Sequence, residues 1–201
     1  MIKLNIGCGA DLRNDYINID SETIQRIIAR YGLEEDYGRY KDVYPEVHNY
    51  DVFNLPYKDG EVDEILCLGF VEHLSFEDER KFFLEVKRTL KQGGLLHLTV
   101  PDFDSLAKQW LDAKDDFQDF YMIGTKEHWF GNCSRSLGNK WGYLTASIFG
   151  NQNGAGQFHK NAYTVGKICK IMNILGFTYQ FDFFYFKGTE VKMINCKAYK
   201  K

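Results

Sequence analysis

Two glycines and an acid within the first twenty residues carry the clearest sign of chemistry in this sequence. The stretch Leu4 to Asp20 reads LNIGCGADLRNDYINID, in which an apolar run leads to Gly7 and Gly9 and a second apolar run ends in the acid. Glycine lets a backbone adopt positive φ or approach a ligand closely, and a carboxylate at the end of a strand can bind two adjacent hydroxyls. This pairing predicts a bound nucleoside.

The spacing after these glycines disfavours a ligand that is held through phosphates. A nicotinamide dinucleotide site has a third glycine in the pattern G-x-G-x-x-G, and Leu12 stands at that position here. The GKS/T ending of a nucleoside triphosphate loop is also missing after the glycines. A nucleoside without a phosphate bridge therefore fits better, and a nicotinamide oxidoreductase is disfavoured.

The elements that must position these residues alternate in type along the chain. Helical spacing of apolar residues predicts helices over 22–31, 76–90 and 164–175, and the segment 33–47 is predicted as a loop or short helical turns. Apolar runs of strand length predict strands at the start of the chain, at 16–20, 62–70, 95–101, 177–186 and 191–199. A further strand is predicted to end near residue 51.

Residues suited to helix ends flank these predicted helices. Ser21 and Ser75 are predicted as N-caps, and Gly32 and Gly176 as the residues at which helices end. The alternation predicts an α/β fold, an open and mainly parallel sheet with helices on both faces.

Several polar or small residues are predicted at the carboxyl ends of the strands, where open α/β sheets bind their ligands. These residues are Gly7, Gly9, Asp20, Asp51, Gly69 and Asp102. Because they converge on one edge of the predicted sheet, they indicate a single ligand site there.

The length and composition indicate one domain that covers residues 1–201. Within it, residues from about 103 to 160 lose the alternation and are rich in aromatic, glycine and polar residues. This segment is too aromatic for a disordered linker and too irregular for more sheet. It is interpreted as an insertion that acts as an acceptor-binding lid.

Charge and hydropathy exclude several partners. The net charge is −3, the pI is about 6.0 and the sequence has no cluster of Lys and Arg, so a nucleic-acid partner is not expected. The chain begins directly with a strand pattern and contains no apolar run of membrane-spanning length. We therefore expect a cytoplasmic protein with no membrane partner.

The five cysteines are scattered and show none of the paired spacings of zinc sites, so no metal is expected. Cys8 and Cys67 lie inside apolar runs and are predicted to be reduced, buried hydrophobic residues.

The motifs as a set resemble the class I S-adenosylmethionine-dependent methyltransferases. LNIGCG is similar to the first cofactor loop, NID to the strand whose terminal acid binds ribose, and DVFNLPYKDGEVDEILCLGFVEHL to a D-x-x-x-LP-x-x-DG-x-x-D run that ends in EHL. GQFHKNAYTVGKICKIMNILGF resembles a late motif of a bacterial subgroup associated with polysaccharide assembly. The resemblance implies a Rossmann-like, seven-stranded, mostly parallel sheet with a C-terminal antiparallel hairpin.

The resemblance also implies that S-adenosylmethionine is the cofactor, and it assigns roles to residues. Asp20 would accept from the ribose hydroxyls, and a carboxylate suits this role because two oxygens can take both protons. The alternative for Asp20 is a helix-entry cap. The other implied cofactor-binding residues are Gly7, Cys8 and Gly9 for the carboxypropyl and ribose parts, Asp51 and Val52 for adenine, and Leu68 and Gly69 for the methionine part.

Three features depart from the family pattern. Asn5 stands where the family commonly has an acid; its amide is expected to hold the first loop, and it is counted among the implied cofactor-binding residues. Asp11 stands where the family commonly has a third glycine. Asp20 follows Gly9 closely, so the usual first helix must be a turn or absent. The missing acid and the missing third glycine support the alternative of a non-catalytic module that binds the cofactor or a partner.

Methyl transfer from a sulfonium is an in-line displacement that needs alignment and exclusion of water. A general base is needed only when the acceptor is a hydroxyl or a protonated amine. The first choice for this base is His159, which follows a glycine-rich stretch, and the second is His73 in VEHL. For both, a role in fixing a loop is the alternative. The remaining candidates are His128, Glu72 and Asp102, while His97 is expected to be structural.

Three aromatic residues in the predicted lid are candidates for binding the acceptor, namely Trp129, Trp141 and Tyr143. Flat apolar side chains suit sugar rings and other planar acceptors, although such clusters also form the core beneath long loops. The predicted acceptor is a small molecule or a saccharide, methylated on oxygen. The sequence makes no prediction of the oligomeric state.

Overall fold

The computed structural model describes residues 1–40, 44–112, 140–152, 154–186 and 189–201. The side chains at 39–40, 140–143 and 155 lie outside that description. Trp129 and His128 lie outside the described residues, as does most of the predicted lid. Within the described residues, no helix combines the length and the apolar character that a membrane span requires.

The described strands form one seven-stranded sheet, which confirms the predicted α/β fold. Its order is β3-β2-β1-β4-β5-β7-β6, in which neighbours from β3 to β5 pair parallel, and β7 pairs antiparallel with both β5 and β6. The strands are β1 (Lys3–Ile6), β2 (Ile17–Ile19), β3 (Val47–His48), β4 (Val62–Leu68), β5 (Leu90–Pro101), β6 (Phe177–Tyr185) and β7 (Lys192–Lys200). The strand order reverses between β2 and β4 around β1, which is where such sheets open a ligand crevice.

Six helices and two short 3₁₀ turns connect these strands in the described residues. The 3₁₀ turns are Val71–His73 and Ala155–Gln157. The helices are α1 (Ile24–Tyr31), α2 (Glu34–Tyr40), α3 (Phe76–Thr89), α4 (Phe103–Asp112), α5 (Lys140–Phe149) and α6 (Val165–Leu175).

The predicted N-cap of α3 and the predicted C-terminal glycine of α6 are confirmed. The hydroxyl of Ser75 accepts from the backbone N–H of Asp78 at the start of α3. Gly176 ends α6 in the left-handed conformation at φ 78°. The helix α6 begins one residue later than predicted, because Thr164 is its N-cap and its hydroxyl accepts from the N–H of Lys167.

The first helix begins later than predicted. The N-cap of α1 is Thr23 and not Ser21, because residues 20–22 form a turn in which Oδ1 of Asp20 accepts from the N–H of Glu22 at 2.9 Å. Asn49 holds this turn by donating to the carbonyl of Ser21 at 2.9 Å. Gly32 ends α1 at φ 65°, as predicted.

Three strand boundaries also differ from prediction. β3 ends at His48, before the predicted end near Asp51, because Asn49 turns toward β2. β4 ends at Leu68, since Gly69 takes a positive φ of 68°. β5 begins at Leu90, five residues before the predicted start, because Leu90 pairs with Val62 beside an irregularity in the register.

The segment from 103 to 160 contains two helices that the sequence reading missed. Leu106 of α4 and Leu144 of α5 pack with Val191 and Met193 near the start of β7, in a buried cluster separate from the main core. This apolar contact explains helix formation in a segment whose sequence shows no long periodic pattern, since most helical stability in proteins comes from packing.

Candidate functional site

The glycine loop after β1 closes tightly over the ends of β2 and β4. Gly7 has φ 67°, and its N–H donates to the carbonyl of Ile19 at 2.8 Å. A Cβ at Gly7 would lie 2.4 Å from the ring of Phe70, so only glycine brings the backbone this close. The loop thus presents backbone to the edge of the sheet, as the glycine pair predicted.

Two buried asparagine side chains hold the glycine loop in place through hydrogen bonds. Asn5 is 1% exposed, and its Nδ2 donates to the carbonyl of Asp11 at 2.6 Å and to Oδ1 of Asn18 at 3.0 Å. Asn18 Oδ1 also accepts from the N–H of Arg13 at 3.0 Å. The amide of Asn5 therefore holds the loop from beneath its surface, as expected from the sequence.

Asp20 lies at the carboxyl end of β2 and faces the glycine loop. Its Oδ2 accepts from the N–H of Gly9 at 3.0 Å, and its Oδ1 accepts from Glu22 at 2.9 Å. Because each carboxylate oxygen has two acceptor sites, both oxygens keep one for hydroxyl donors. Thr23 and not Asp20 caps α1, so the alternative role of a helix-entry cap is wrong.

One cavity of about 880 Å³ joins the residues predicted at this edge. Eight of the nine predicted cofactor-binding residues line it, Asn5 being the exception: Gly7, Cys8, Gly9, Asp20, Asp51, Val52, Leu68 and Gly69. Its volume is in the upper part of the range of small-molecule sites, so it can hold a nucleoside cofactor together with a second small ligand.

Cys8 lines this cavity but is not set up as a nucleophile. Burial and the nearby carboxylate of Asp20 raise the pKa of the Cys8 thiol to about 12, so it stays protonated at neutral pH. Burial also raises the pKa of Cys67, which is fully enclosed in β4. Both cysteines are buried as predicted, and neither forms a disulfide.

Asp102 is the one member of the predicted edge cluster that serves the fold instead. It is 6% exposed, its carboxylate pairs with the ammonium of Lys192 at 3.2 Å, and its N–H donates to the carbonyl of Lys192. These contacts tie the end of β5 to β7. The preceding Pro101 lines the cavity in its place.

The two histidines proposed as bases meet in the wall of this cavity. The rings of His73 and His159 lie with centroids 4.8 Å apart and planes inclined by 72°. The Nδ1 atom of His73 is 3.0 Å from the carbonyl oxygen of Phe158, and Nδ1 of His159 is 3.0 Å from that of Ser147. Since a carbonyl oxygen only accepts, each Nδ1 carries a proton, and in the neutral rings Nε2 has the lone pair.

Backbone hydrogen bonds bring these histidines together. The carbonyl of Glu72, in the 3₁₀ turn after β4, accepts from the N–H groups of Lys160 at 2.8 Å and Asn161 at 3.1 Å. The side chain of Glu72 is 4% exposed and also lines the cavity. The late HKN segment is thereby joined to the VEHL segment, a proximity that the sequence alone does not show.

A second network fastens the same segment to α3. The carboxylate of Glu79 accepts from the hydroxyl of Tyr163 at 2.5 Å and from Nδ2 of Asn161 at 3.0 Å, and it pairs with Lys167 at 2.7 Å. Burial and this carboxylate raise the pKa of Tyr163. The bonds hold the end of the 150–160 segment against the sheet.

The end of α1 contributes cavity residues that sequence reasoning missed. Tyr31, predicted as part of the apolar face of the helix, is 45% exposed and lies near Gly9, whose Cβ would be 3.2 Å from the Tyr31 hydroxyl. Arg30 forms an ion pair with Glu22, and both line the cavity. The sequence signal that could have placed Tyr31 near the cavity is its position directly before Gly32, the predicted end of the helix.

The structure locates the other predicted site residues only in part. Trp141 and Tyr143 lie in α5, but their side chains fall outside the described residues, as does all of Trp129. His97, expected to be structural, contacts Oδ1 of Asn195 at 2.6 Å between β5 and β7, away from the cavity.

Comparison with known proteins gives a family-model match and a curated relative. Residues 4–98 match the family model described as a methyltransferase domain. An uncharacterised protein of Methanocaldococcus jannaschii is 28% identical over 122 residues, which is 59% of this chain and 48% of that protein. This chain thus spans about half the length of the curated relative that it matches.

Two solved structures share the fold. The 1,6-didemethyltoxoflavin-N1-methyltransferase of Burkholderia thailandensis, solved with 1,6-didemethyltoxoflavin and S-adenosylhomocysteine, has a TM-score of 0.57 and 11% identity over 100% of this chain and 71% of that one. A SAM-dependent methyltransferase of Methanosarcina mazei has a TM-score of 0.57 and 15% identity over 98% of this chain and 91% of that one. At these identities the likeness establishes the fold.

Proposed function

We infer that the protein is a class I S-adenosylmethionine-dependent methyltransferase, because residues 4–98 match the family model described as a methyltransferase domain. We propose that it methylates an oxygen of a small-molecule or saccharide acceptor. The observation that carries this proposal is one cavity whose lining includes both the glycine loop with Asp20 and the two histidines, His73 and His159.

The proposed cofactor pose follows the lining of the cavity. The ribose hydroxyls donate to the remaining acceptor sites of Asp20, in charge-assisted bonds. Adenine lies against Asp51 and Val52, where Oδ1 of Asp51 already accepts from the N–H of Phe53 at 2.9 Å. The methionine part runs past Gly7 to Gly9 and toward Leu68 and Gly69.

The acceptor is proposed to bind at the histidine end of the cavity. The segment predicted as a lid supplies several wall residues there, namely Ser147, Asn151, Gly156, Gln157 and His159. This supports the proposed role of the segment 103–160 in acceptor binding. Trp129, Trp141 and Tyr143 belong to the same segment and remain the proposed aromatic platform for a saccharide or planar acceptor.

The proposed reaction is an in-line displacement at the methyl carbon. The acceptor oxygen attacks, the bond from carbon to sulfur breaks with its electron pair moving to sulfur, and S-adenosylhomocysteine leaves. The protein aligns the two ligands in one cavity and limits water. His159 and His73 are the proposed acceptor-activating groups, since the lone pair on Nε2 of each neutral ring is suited to the hydroxyl.

Calorimetric titration with S-adenosylhomocysteine tests the cofactor site. Wild type is expected to bind at micromolar Kd, and Asp20→Asn to bind about 10-fold more weakly or worse, about 1.4 kcal/mol, because it loses charge toward the ribose. Asp15→Asn is the matched control, since Asp15 follows the same loop and its side chain is 69% exposed. Absence of binding by wild type, or equal Kd values in wild type and Asp20→Asn, would contradict the assignment.

Turnover separates an enzyme from a module that only binds the cofactor. We expect release of S-adenosylhomocysteine when the protein is incubated with S-adenosylmethionine and a panel of sugars and small hydroxyl compounds. Loss of release in His159→Gln, with cofactor Kd unchanged, is expected if the histidine acts on the acceptor. Tight cofactor binding without turnover on any acceptor would favour the binding module.

A further inference from the structure

Three side chains at the acceptor end of the cavity form a cluster suited to a metal ion. Glu72, His73 and His159 each offer one donor atom, and these atoms all lie within 4.8 Å of one another. The three come from two segments far apart in sequence, and both segments are held by hydrogen bonds of their own. Sequence spacing predicts no metal here, because no two of the cysteines and histidines form a known ligand pattern.

The orientation of the two rings is the one that metal-binding histidines adopt. In both His73 and His159 the Nδ1 proton is directed at a backbone carbonyl, that of Phe158 and that of Ser147. A histidine that coordinates a metal almost always donates its other ring N–H to a carbonyl or a carboxylate, which sets the tautomer and the ring orientation. With Nδ1 of each ring directed at a carbonyl, Nε2 is the nitrogen with which each histidine would bind the ion.

Glu72 completes the set with a carboxylate, which is 4% exposed and lines the cavity. The backbone carbonyl of Glu72 accepts from Lys160 and Asn161, so the backbone that carries this carboxylate is joined to the backbone directly after His159. Two imidazoles and one carboxylate are the donor set of many catalytic zinc sites and of other divalent transition metals.

We propose that Glu72, His73 and His159 bind a divalent transition-metal ion that in turn binds the acceptor oxygen. Tetrahedral coordination at about 2.1 Å would place the donors about 3.4 Å apart, so the side chains close by no more than about 1.4 Å per pair. With three protein ligands, the ion keeps a position open for the acceptor. Imidazole nitrogen donors favour zinc, cobalt or nickel over magnesium and calcium.

The position of the cluster fits this role in methyl transfer. A Cβ at Gly69 would lie 3.6 Å from Oε1 of Glu72, so the metal site borders the proposed methionine part of the cofactor. An acceptor hydroxyl bound to the ion loses its proton to water more readily, and its oxygen then attacks the methyl carbon. The products are the methyl ether, S-adenosylhomocysteine and one proton. In this arrangement the two imidazoles activate the acceptor through the ion and no longer act on the hydroxyl themselves. The step rests on the proposed function, whereas binding of the ion does not.

The test is direct metal binding by the full chain after dialysis against a chelator. Calorimetric titration with Zn²⁺ is expected to give one site, and Co²⁺ is expected to give visible absorption bands from the coordinated ion. His73→Gln and His159→Gln are each expected to weaken Zn²⁺ binding at least about 10-fold. The matched control is His97→Gln, which lies between β5 and β7 and is expected to bind like wild type.

Thermal unfolding with and without Zn²⁺ guards against variants that fail to fold. Wild type is expected to melt at higher temperature with Zn²⁺ than with chelator, because a ligand that binds only the folded state stabilises it. No Zn²⁺ binding by wild type, equal Zn²⁺ binding in wild type and both histidine variants, or Mg²⁺ binding as tight as Zn²⁺ binding would overturn the proposal.

A parallel titration with S-adenosylhomocysteine keeps this outcome separate from that of the proposed function. Cofactor binding without metal binding would overturn the metal site alone. Metal binding without cofactor binding would overturn the proposed function and leave the metal site in place.

Discussion

The rings of His73 and His159 lie with centroids 4.8 Å apart, and Nδ1 of each ring contacts a backbone carbonyl of the chain that precedes α6. His73 contacts the carbonyl of Phe158, which directly precedes His159, while His159 contacts that of Ser147 on α5. Hydrogen bonds from the 160–161 backbone to the carbonyl of Glu72 join the same two segments. The proposed acceptor-binding part of the cavity is therefore formed where the segment after β4 meets the segment before α6.

Replacement of Gly7 tests the close approach of the glycine loop to Phe70. Gly7→Ala is expected to lower thermal stability and weaken S-adenosylhomocysteine binding about 10-fold or more, because its Cβ would meet the Phe70 ring at 2.4 Å. Gly32→Ala is the matched control for stability. Gly32 has nearly the same φ as Gly7, 65°, but nothing lies within 4 Å of the position that a Cβ would take. Its replacement is therefore expected to cost only the backbone strain, about 1 kcal/mol of unfolding free energy.

A second substitution sharpens this test. Gly7→Ala combined with Phe70→Ala is expected to recover part of the cofactor affinity, since the ring that collides is gone. If Gly7→Ala melts no lower than Gly32→Ala and binds the cofactor normally, the loop does not pack as described.

Removal of the Glu79 carboxylate tests the network that fastens the segment after His159. Glu79→Ala leaves Tyr163, Asn161 and Lys167 without this acceptor, and the expected loss is about 1–3 kcal/mol of unfolding free energy. The control is Glu77→Ala in the same helical turn, because the Glu77 side chain is 80% exposed and pairs with Lys81 at the surface. This substitution is expected to lower the free energy of unfolding by less than about 1 kcal/mol. Chemical denaturation measures both, and equal losses would show that the network contributes nothing.

The thiol of Cys8 provides a pH-dependent test of the site. Its pKa is raised to about 12 by burial and by Asp20, so iodoacetamide is expected to leave it unmodified in the folded protein between pH 7 and 9. In the unfolded chain its pKa returns to about 8.5 and it is expected to react. Because Asp20 raises this pKa, Asp20→Asn is expected to lower it and to increase labelling at pH 9. Peptide mapping by mass spectrometry reads out the extent, and fast labelling of folded wild type at pH 7 would contradict the assigned burial.

Much of the fold follows from local patterns in the sequence. The N-cap of α3, the glycine ends of α1 and α6 and the final hairpin are confirmed because each depends on hydrogen bonds or periodicity within a few residues. The boundaries of α1, β3 and β5 and the two helices in 103–160 were missed, since contacts from other segments decide them.

The candidate site divides in the same way. The sequence by itself determined the glycine loop, Asp20, Asp51 and Gly69, because parallel strands bring their carboxyl ends to one edge whatever the details of packing. Only the tertiary structure decided that Asp102 pairs with Lys192, that Asn5 lies beneath the loop, and that Glu72 and the two histidines meet. These relations join residues that are far apart along the chain, and no local preference encodes which distant segments come into contact.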